Sequence, residues 1–303
     1  MKQLRYYFNY VEKCNMCGSV SDHHKILGQR LNQSQGFNPK SKIGISTTVM
    51  QCRDCNLIFS NPQPVPFDLQ DHYGVPPENY WKPEYFNIDD NYFSNQLVTT
   101  KELLQFKPGM KALDIGAGLG KGMIAMKRAG FDVYGFEPSV PFHKKAIEKM
   151  NIAPEKLKLG MIEEVDYPVN YFDFVSFGAV LEHLYNPAEA IQKALTWVKP
   201  GGLIHIEVPS SKYLIPRIFN LYFRLRGTNY VNNMSPMHRP FHLYEFSKES
   251  FMLHAKNNGY EIAHKEYYVC DIYFLPQFIH PLLKWYMKKT NKGMQLAVWL
   301  RKK

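Results

Sequence analysis

The chain has 303 residues, with 37 Lys and Arg against 27 Asp and Glu, a formal charge of +10, 45% hydrophobic and 21% charged residues. That balance excludes a disordered polymer and fits a globular protein of about two domains, at about 100–200 residues each. A bilayer-spanning helix is also excluded, because the most apolar tract, "YFLPQFIHPLLKWY", is short and broken by Pro and His.

The N-terminus, "MKQLRYYFNYVEKC", lacks the apolar stretch of a signal peptide, so a reducing, cytoplasmic location is expected. In that compartment paired cysteines serve metal rather than disulfides. The positive charge suits nucleic acid, phosphorylated small molecules or an acidic membrane surface, and solvated lysines explain it equally well. Much of the excess sits late, in "KWYMKKTNKG" and "LRKK".

Residues 1–70 read as a small irregular module with short strands and four cysteines. Cys14 and Cys17 in "EKCNMCGSV", and Cys52 and Cys55 in "MQCRDCNLIF", form two C-x-x-C pairs separated by 34 residues. Two such pairs suit a tetrahedral four-thiolate zinc site, each supplying two ligands from one tight turn. Reduced spectators or a redox pair are the alternatives. His23 and His24 lie nearby, but four cysteines already complete a site. "SNPQPVPF" ends the module, since its prolines continue neither helix nor strand. Residues 71–94, dense in aromatics and turn formers, read as a connector.

From 95 to 303 strands and helices alternate. "NQLVTTKELLQF" is a helix stopped at "KPGM", "KALDI" a strand, and "GKGMIAMKRAG" a helix closed by Gly130. "DVYGF" is a strand and "VPFHKKAIEKM" a helix with Pro141 near its start. "KLKLG" and "YFDFVSFG" are strands. "NPAEAIQKALTWV" is a helix with Asn186 as its expected cap, and "KPGGLIHIEVP" a turn and strand. "YLIPRIFNLYFRLRGTNY" reads as an amphipathic helix: a lid, a dimer contact or a membrane-surface element. "SKESFMLHAKNNGY" is a Ser-capped helix, and "EIAHKEYYV" and "MQLAVWLRK" are late strands. The alternation predicts a parallel sheet with helices on both faces.

"LDIGAGLGKG" places Gly116, Gly118, Gly120 and Gly122 in a strand-to-helix turn. It matches neither the dinucleotide G-x-G-x-x-G, because position 121 is Lys, nor the phosphate-binding loop. A tight structural turn is the plain alternative to a ligand loop. The next strand ends in "GFEPS", where Glu137 can accept hydrogen bonds from both hydroxyls of a ribose, 23 positions after Asp114.

"LDIGAGLGKG", "VYGFEPS", "FDFVSFGAVLEHLYNPAEAI" and "VKPGGLIHIEVPS", in this order, resemble the class I S-adenosylmethionine-dependent methyltransferases. The resemblance implies an α/β, Rossmann-like, seven-stranded doubly wound sheet with an antiparallel last strand, preceded here by a small zinc-ribbon-like domain. It implies that Gly116, Gly118 and Gly120 lie against the amino-acid part of S-adenosylmethionine and that Asp114 fixes their loop. Glu137 would hold the ribose. Met161 and Ile162 would lie beside the adenine, although relatives often carry Asp at the first of these positions. Gly178 would let the cofactor approach.

"AVLEHLYNP" puts Glu182 and His183 just past a central strand, where open parallel sheets bind ligands. Histidine can take a substrate proton during methyl transfer. Equally, the pair can hold the loop or line the pocket. His238, Arg239 and His242 in "SPMHRPFHLYEFS" face the substrate in the resemblance, with packed or solvated loop residues as the alternative.

A cysteine-bearing front domain before this fold is similar to a bacterial group that includes C-methyltransferases of nucleotide-linked keto sugars. "CRDCNLIFSNPQP" followed by "HYG" carries that likeness. It implies a structural zinc and a front domain that closes over the substrate. Tyr73, Tyr80 and Tyr92 would then line the cleft, or simply pack. The expected activity is methyl transfer to carbon or oxygen of a polar, anionic small molecule, such as a nucleotide-linked sugar or cell-surface glycan precursor. The alternative is zinc-assisted methylation of ribosomal RNA bases, against which Lys and Arg are sparse around "CNMC" and "CRDC".

Overall fold

A computed structural model describes residues 5–30, 45–68, 70, 82–234, 240–272 and 275–303. The front of the chain forms strands β1 (Tyr6–Asn9), β2 (His24–Arg30), β3 (Thr48–Cys52), β4 (Ile58–Asn61) and β5 (Gln63–Pro66). Next come α1 (Ser94–Leu104), β6 (Lys111–Ile115), α2 (Lys121–Arg128), β7 (Asp132–Glu137), α3 (Val140–Met150), β8 (Leu157–Leu159) and β9 (Phe172–Gly178). Then follow α4 (Pro187–Trp197), β10 (Val198–Pro209), α5 (Leu214–Leu225), β11 (Tyr230–Val231), β12 (Tyr244–Glu245) and α6 (Lys248–Ala255). The chain ends with β13 (Tyr260–Tyr268), α7 (His280–Thr290) and β14 (Gln295–Lys302).

Seven strands form one sheet in the order β13-β14-β10-β9-β6-β7-β8. β6 to β10 run parallel, and β14 is antiparallel to both β10 and β13. This is the doubly wound class I methyltransferase architecture. In β9, Phe172, Phe174, Val175 and Phe177 are fully buried without any apolar–polar alternation, as expected of a strand covered on both faces. Successive side chains serve opposite cores. Leu113, Ile115, Val175 and Phe177 pack with Ile191 of α4 and Phe251 of α6. Ala112 and Phe174 pack with Met123 and Met126 of α2 on the other face. The chain moves outward from β6 to β8 in one direction and from β9 to β10 in the other, so the strand order reverses between β6 and β9. A crevice opens at the carboxyl ends there.

The front module makes a second sheet, ordered β11-β2-β3-β4-β12. It is not closed by residues 1–70 alone. Tyr230 pairs with Gln29 in parallel, and Tyr244 pairs with Phe59 in antiparallel fashion. Its core is continuous with the main one: Cys14, Met16, Cys52, Cys55, Leu57 and Phe59 share a cluster with Tyr244 and Phe246. β1 and β5 form a separate two-stranded ribbon.

Two of these helices carry a side-chain cap at the N-terminus. Ser247 caps α6 by accepting from the Ser250 N–H, and Ser139 caps α3 by accepting from the Phe142 N–H. Asn186 stands at the start of α4 but its side chain makes no capping bond, and Pro187 at the first helical position leaves no N–H there to satisfy. α7 was not foreseen as a helix. Among the described residues, no helix is long and apolar enough to cross a membrane.

Candidate active site and metal centre

The crevice between β6 and β9 is a cavity of about 340 Å³. Gly116 and Gly118 line it from the loop after β6, Glu137 from the end of β7, Met161 and Ile162 from the segment after β8, and His183 from the turn after β9. The structure therefore brings these six expected residues to one space.

The glycines differ in what they do. Gly116, Gly118 and Gly120 have φ of +67°, +55° and +79°, a region that costs most side chains strain. At Gly116 a Cβ would lie 2.7 Å from Val180 Cγ2, so the loop must pass close to the chain leaving β9. At Gly118 a Cβ would meet nothing within 4 Å, because it would point into open space. Gly118 N–H donates to Glu137 Oε2 at 2.7 Å. Gly120 does not line the cavity: it begins α2, and a Cβ there would lie 2.7 Å from Ile152. That close approach gives this glycine a packing role. Gly178 is likewise absent from the lining; it is exposed, and the next two residues, Ala179 (φ +55°) and Val180, form the wall instead.

Two carboxylates support the loop. Glu137 Oε1 accepts from Ser139 N–H at 2.8 Å while Oε2 holds Gly118, and each oxygen keeps a second lone pair. Burial pushes its carboxyl up to about 7 in spite of these bonds. Asp114 lies beneath the loop rather than on the cavity wall, and burial followed by the charge of Glu137 raises it to about 7. Its partner in packing is Gly122, where a Cβ would sit 2.6 Å from Asp114 Oδ2. Gly122→Ala is expected to destabilise the chain by about 1–3 kcal/mol, the usual cost of overpacking, as a lowered denaturation midpoint. An unchanged midpoint would mean that the carboxylate can move aside freely.

Glu182 and His183 occupy a single 3-10 turn, Leu181–His183. His183 Nδ1 lies 3.0 Å from Phe241 O. A carbonyl only accepts, so Nδ1 carries the proton and Nε2 is the basic nitrogen of the neutral ring. Glu182 is buried behind the wall, 2% exposed, and among the described residues its Oε2 has no hydrogen-bond partner. Burial raises its carboxyl to about 8, and Glu207 adds to the shift. Ligand atoms of Glu182, His183 and His242 all fall within 4.8 Å of one another, close enough to hold a common cation. The His183 and His242 rings meet edge-on at 4.8 Å. His242 thus stands beside His183 and is absent from the cavity lining itself.

Tyr92 lies on a shallow groove with Leu97, Lys101 and Arg128 and is absent from the cavity lining, and burial with the nearby Asp114 and Glu207 pushes its phenol up to about 12. Tyr73, Tyr80, His238 and Arg239 lie outside the described residues. Tyr185 was missed from the sequence. It lines the cavity and ties it to the front module: its hydroxyl donates to Pro64 O at 3.0 Å, and its carbonyl accepts from Asn15 Nδ2 at 2.8 Å and Tyr244 Oη at 2.9 Å.

Asn15 belongs to the first cysteine turn. Cys14, Cys17, Cys52 and Cys55 bring their four sulfurs within 4.8 Å of one another, with Cys14 and Cys55 at 3.4 Å and Cys17 and Cys52 at 3.6 Å. None forms a disulfide. Sulfurs about 2.3 Å from a tetrahedral zinc stand about 3.8 Å apart, so the cluster fits that ion. Four thiolates this close repel one another, so holding them together needs a cation among them. Around Cys17, Ser19 Oγ lies 3.1 Å from the sulfur and donates to Asp54, which also holds His23 at 2.9 Å. His24 bonds to Ser19 O. The two histidines therefore orient the turn and are not ligands.

Comparison with known proteins agrees with this geometry. The family described as "Methyltransferase domain" matches residues 93–265, more than half of the chain. The chain is 31% identical over 142 residues to phosphoethanolamine N-methyltransferase 3 of Arabidopsis thaliana, covering 43% of this chain and 28% of that one. It is 32% identical over 111 residues to a demethylmenaquinone methyltransferase of Bacillus mycoides, covering 35% and 47%. With a ubiquinone biosynthesis O-methyltransferase of Acinetobacter baumannii it shares 28% over 156 residues, covering 50% and 63%. In each case the match spans less than two thirds of the relative. Among solved structures, an S-adenosylmethionine-dependent methyltransferase of Mesorhizobium loti is similar at a TM-score of 0.48 and 14% identity, covering 71% of this chain and 98% of that one. The family match and the sheet order together show that the chain belongs to the class I S-adenosylmethionine-dependent methyltransferases.

Proposed function

We propose that the chain transfers a methyl group to carbon or oxygen of a polar, anionic small molecule, such as a nucleotide-linked sugar, held between the cavity and the front module. The observation that carries this is Tyr185, a wall of the cavity that hydrogen-bonds to the cysteine module at both its ends. A module clamped to the wall of a cavity suits covering a small acceptor. The small-molecule names of the curated relatives support the same choice over RNA.

When bound, S-adenosylmethionine supplies an electrophilic methyl group on a sulfonium. Gly118 leaves room for its amino-acid part, Glu137 accepts from the ribose hydroxyls, and Met161 and Ile162 give the adenine an apolar face. His183 Nε2 takes the proton of the acceptor, from a carbon beside a ketone or from a hydroxyl. Phe241 O and the His242 ring position that imidazole. Ile115, Phe136 and Val180 keep the reacting space apolar and poor in water. The four cysteines hold a structural zinc.

Calorimetric titration with S-adenosylhomocysteine tests the cofactor site. Glu137→Ala is expected to weaken binding about 10–100-fold, the worth of hydrogen bonds to a charged group. The ribose hydroxyls donate to the ionised carboxylate, so protons compete with the ligand. Affinity of the wild-type chain should therefore fall as pH drops through about 7. Equal affinity in both proteins would remove Glu137 from the site. Transfer of labelled methyl to ribosomal RNA and to none of a panel of nucleotide sugars and other anionic small molecules would replace the small-molecule reading.

A further inference from the structure

We infer that α5 and α7 form a docking face for an anionic membrane surface. The two helices pack together through Ile215, Ile218, Leu283 and Met287. Each leaves an apolar flank in water. Leu221, Tyr222 and Leu225 of α5 are more than half exposed, and so are Phe278, just before α7, and Leu282 and Trp285 within it. Large exposed apolar side chains gathered on two packed helices mark an interaction surface rather than scattered surface hydrophobes.

Charge identifies the partner. Residues 213–230 carry Arg217, Arg224 and Arg226, residues 275–292 carry Lys284, Lys288, Lys289 and Lys292, and neither stretch contains an Asp or Glu. Only Lys284 is drawn to a carboxylate among the described ion pairs of these seven, at Asp271. Arg224, Arg226, Lys288 and Lys289 are exposed. Aliphatic and aromatic side chains interleaved with cations, without acids, suit an interface that is apolar inside and negatively charged at its rim. A second copy would set this cationic face against itself in a two-fold contact. A nucleic acid would leave Leu221, Leu225 and Leu282 without partners.

The position is consistent with a role at the site. α5 follows Pro209 of β10, α7 precedes Gln295 of β14, and these two residues are paired. Glu207 of β10 pairs with Gly178 of β9. Both helices therefore emerge from the carboxyl edge of the sheet, where the cavity opens. The inference holds whichever acceptor the cavity takes.

Sedimentation of the full chain with vesicles tests it, using phosphatidylcholine alone and phosphatidylcholine mixed equally with phosphatidylglycerol. Binding is expected to the mixed vesicles and to fall with added salt. Two double variants should each lower the partition about tenfold or more, Lys288→Glu with Lys289→Glu through charge and Leu282→Gln with Trp285→Gln through burial. Unchanged S-adenosylhomocysteine affinity confirms that the variants fold. No sedimentation, equal binding to both vesicle types, or variants that bind like wild type would overturn the inference. So would a wild-type dimer that the Leu282/Trp285 variant dissociates, which would give the face to a second copy.

Discussion

Stripping the metal from the purified chain with a strong chelator is expected to unfold the front module and loosen the wall of the cavity. Structural zinc held by four thiolates contributes on the order of 10 kcal/mol of apparent binding free energy, more than a small module can replace from its own core. Cys14, Cys52 and Cys55 are buried within the same cluster as Leu57 and Phe59, so their sulfurs cannot find water without opening that core. The effect should travel further. Asn15 sits between two of the cysteines and donates to Tyr185 O, and Ser247 Oγ donates to Cys55 O at 2.5 Å. Loss of the cluster therefore frees a cavity wall and the cap of α6 together. The measurement is metal content by mass spectrometry alongside a thermal melt, for wild type and Cys52→Ser. One zinc per chain, with a large fall in melting temperature on its removal, is expected. A chain that melts identically with and without metal would make the sulfurs spectators.

Replacing His183 by Ala should lower kcat about 10²–10⁴-fold once an acceptor is known, the usual range for a lost general base. S-Adenosylhomocysteine affinity should change little if His183 serves the acceptor as proposed, since the ring is fixed by Phe241 O. Imidazole added to the solution should restore part of the rate, which a residue that only shapes the loop would not show. His242→Ala should have a smaller effect, since that ring touches His183 and does not line the cavity. A raised KM with unchanged kcat in the His183 variant would assign the ring to binding alone.

What could be read in one dimension is what local chemistry dictates. A strand followed by glycines at spaced positions needs positive φ, and a carboxylate at the end of the next strand faces the same loop. Gly116, Gly118 and Glu137 were therefore legible together. The cysteine pairs were legible because metal ligation has its own spacing. The failures have a common physical source in contacts that join distant segments. Gly120 and Gly118 look alike in sequence, but Ile152, 32 residues later, fills the space beside one and nothing fills it beside the other. The need for Gly122 appears only where the helix crosses Asp114. Tyr185 matters through Asn15 and Pro64, more than 100 residues away. α7 begins at a Pro-containing apolar tract whose partner face belongs to α5, so its own pattern underdetermined it.

The front sheet also sets an order on how the chain can be made. β2 and β4 are completed at their outer edges by Tyr230–Val231 and Tyr244–Glu245. While the protein is being synthesised, those edges stay open until residues 230–245 of the 303 have left the ribosome. The cysteines emerge first and can capture an ion early, yet the sheet they anchor must wait for strands made after β6 to β10 of the central sheet. Exposed strand edges invite pairing with other chains. A fragment ending before Tyr230 would keep them exposed permanently, so the front module cannot be finished by its own stretch of chain.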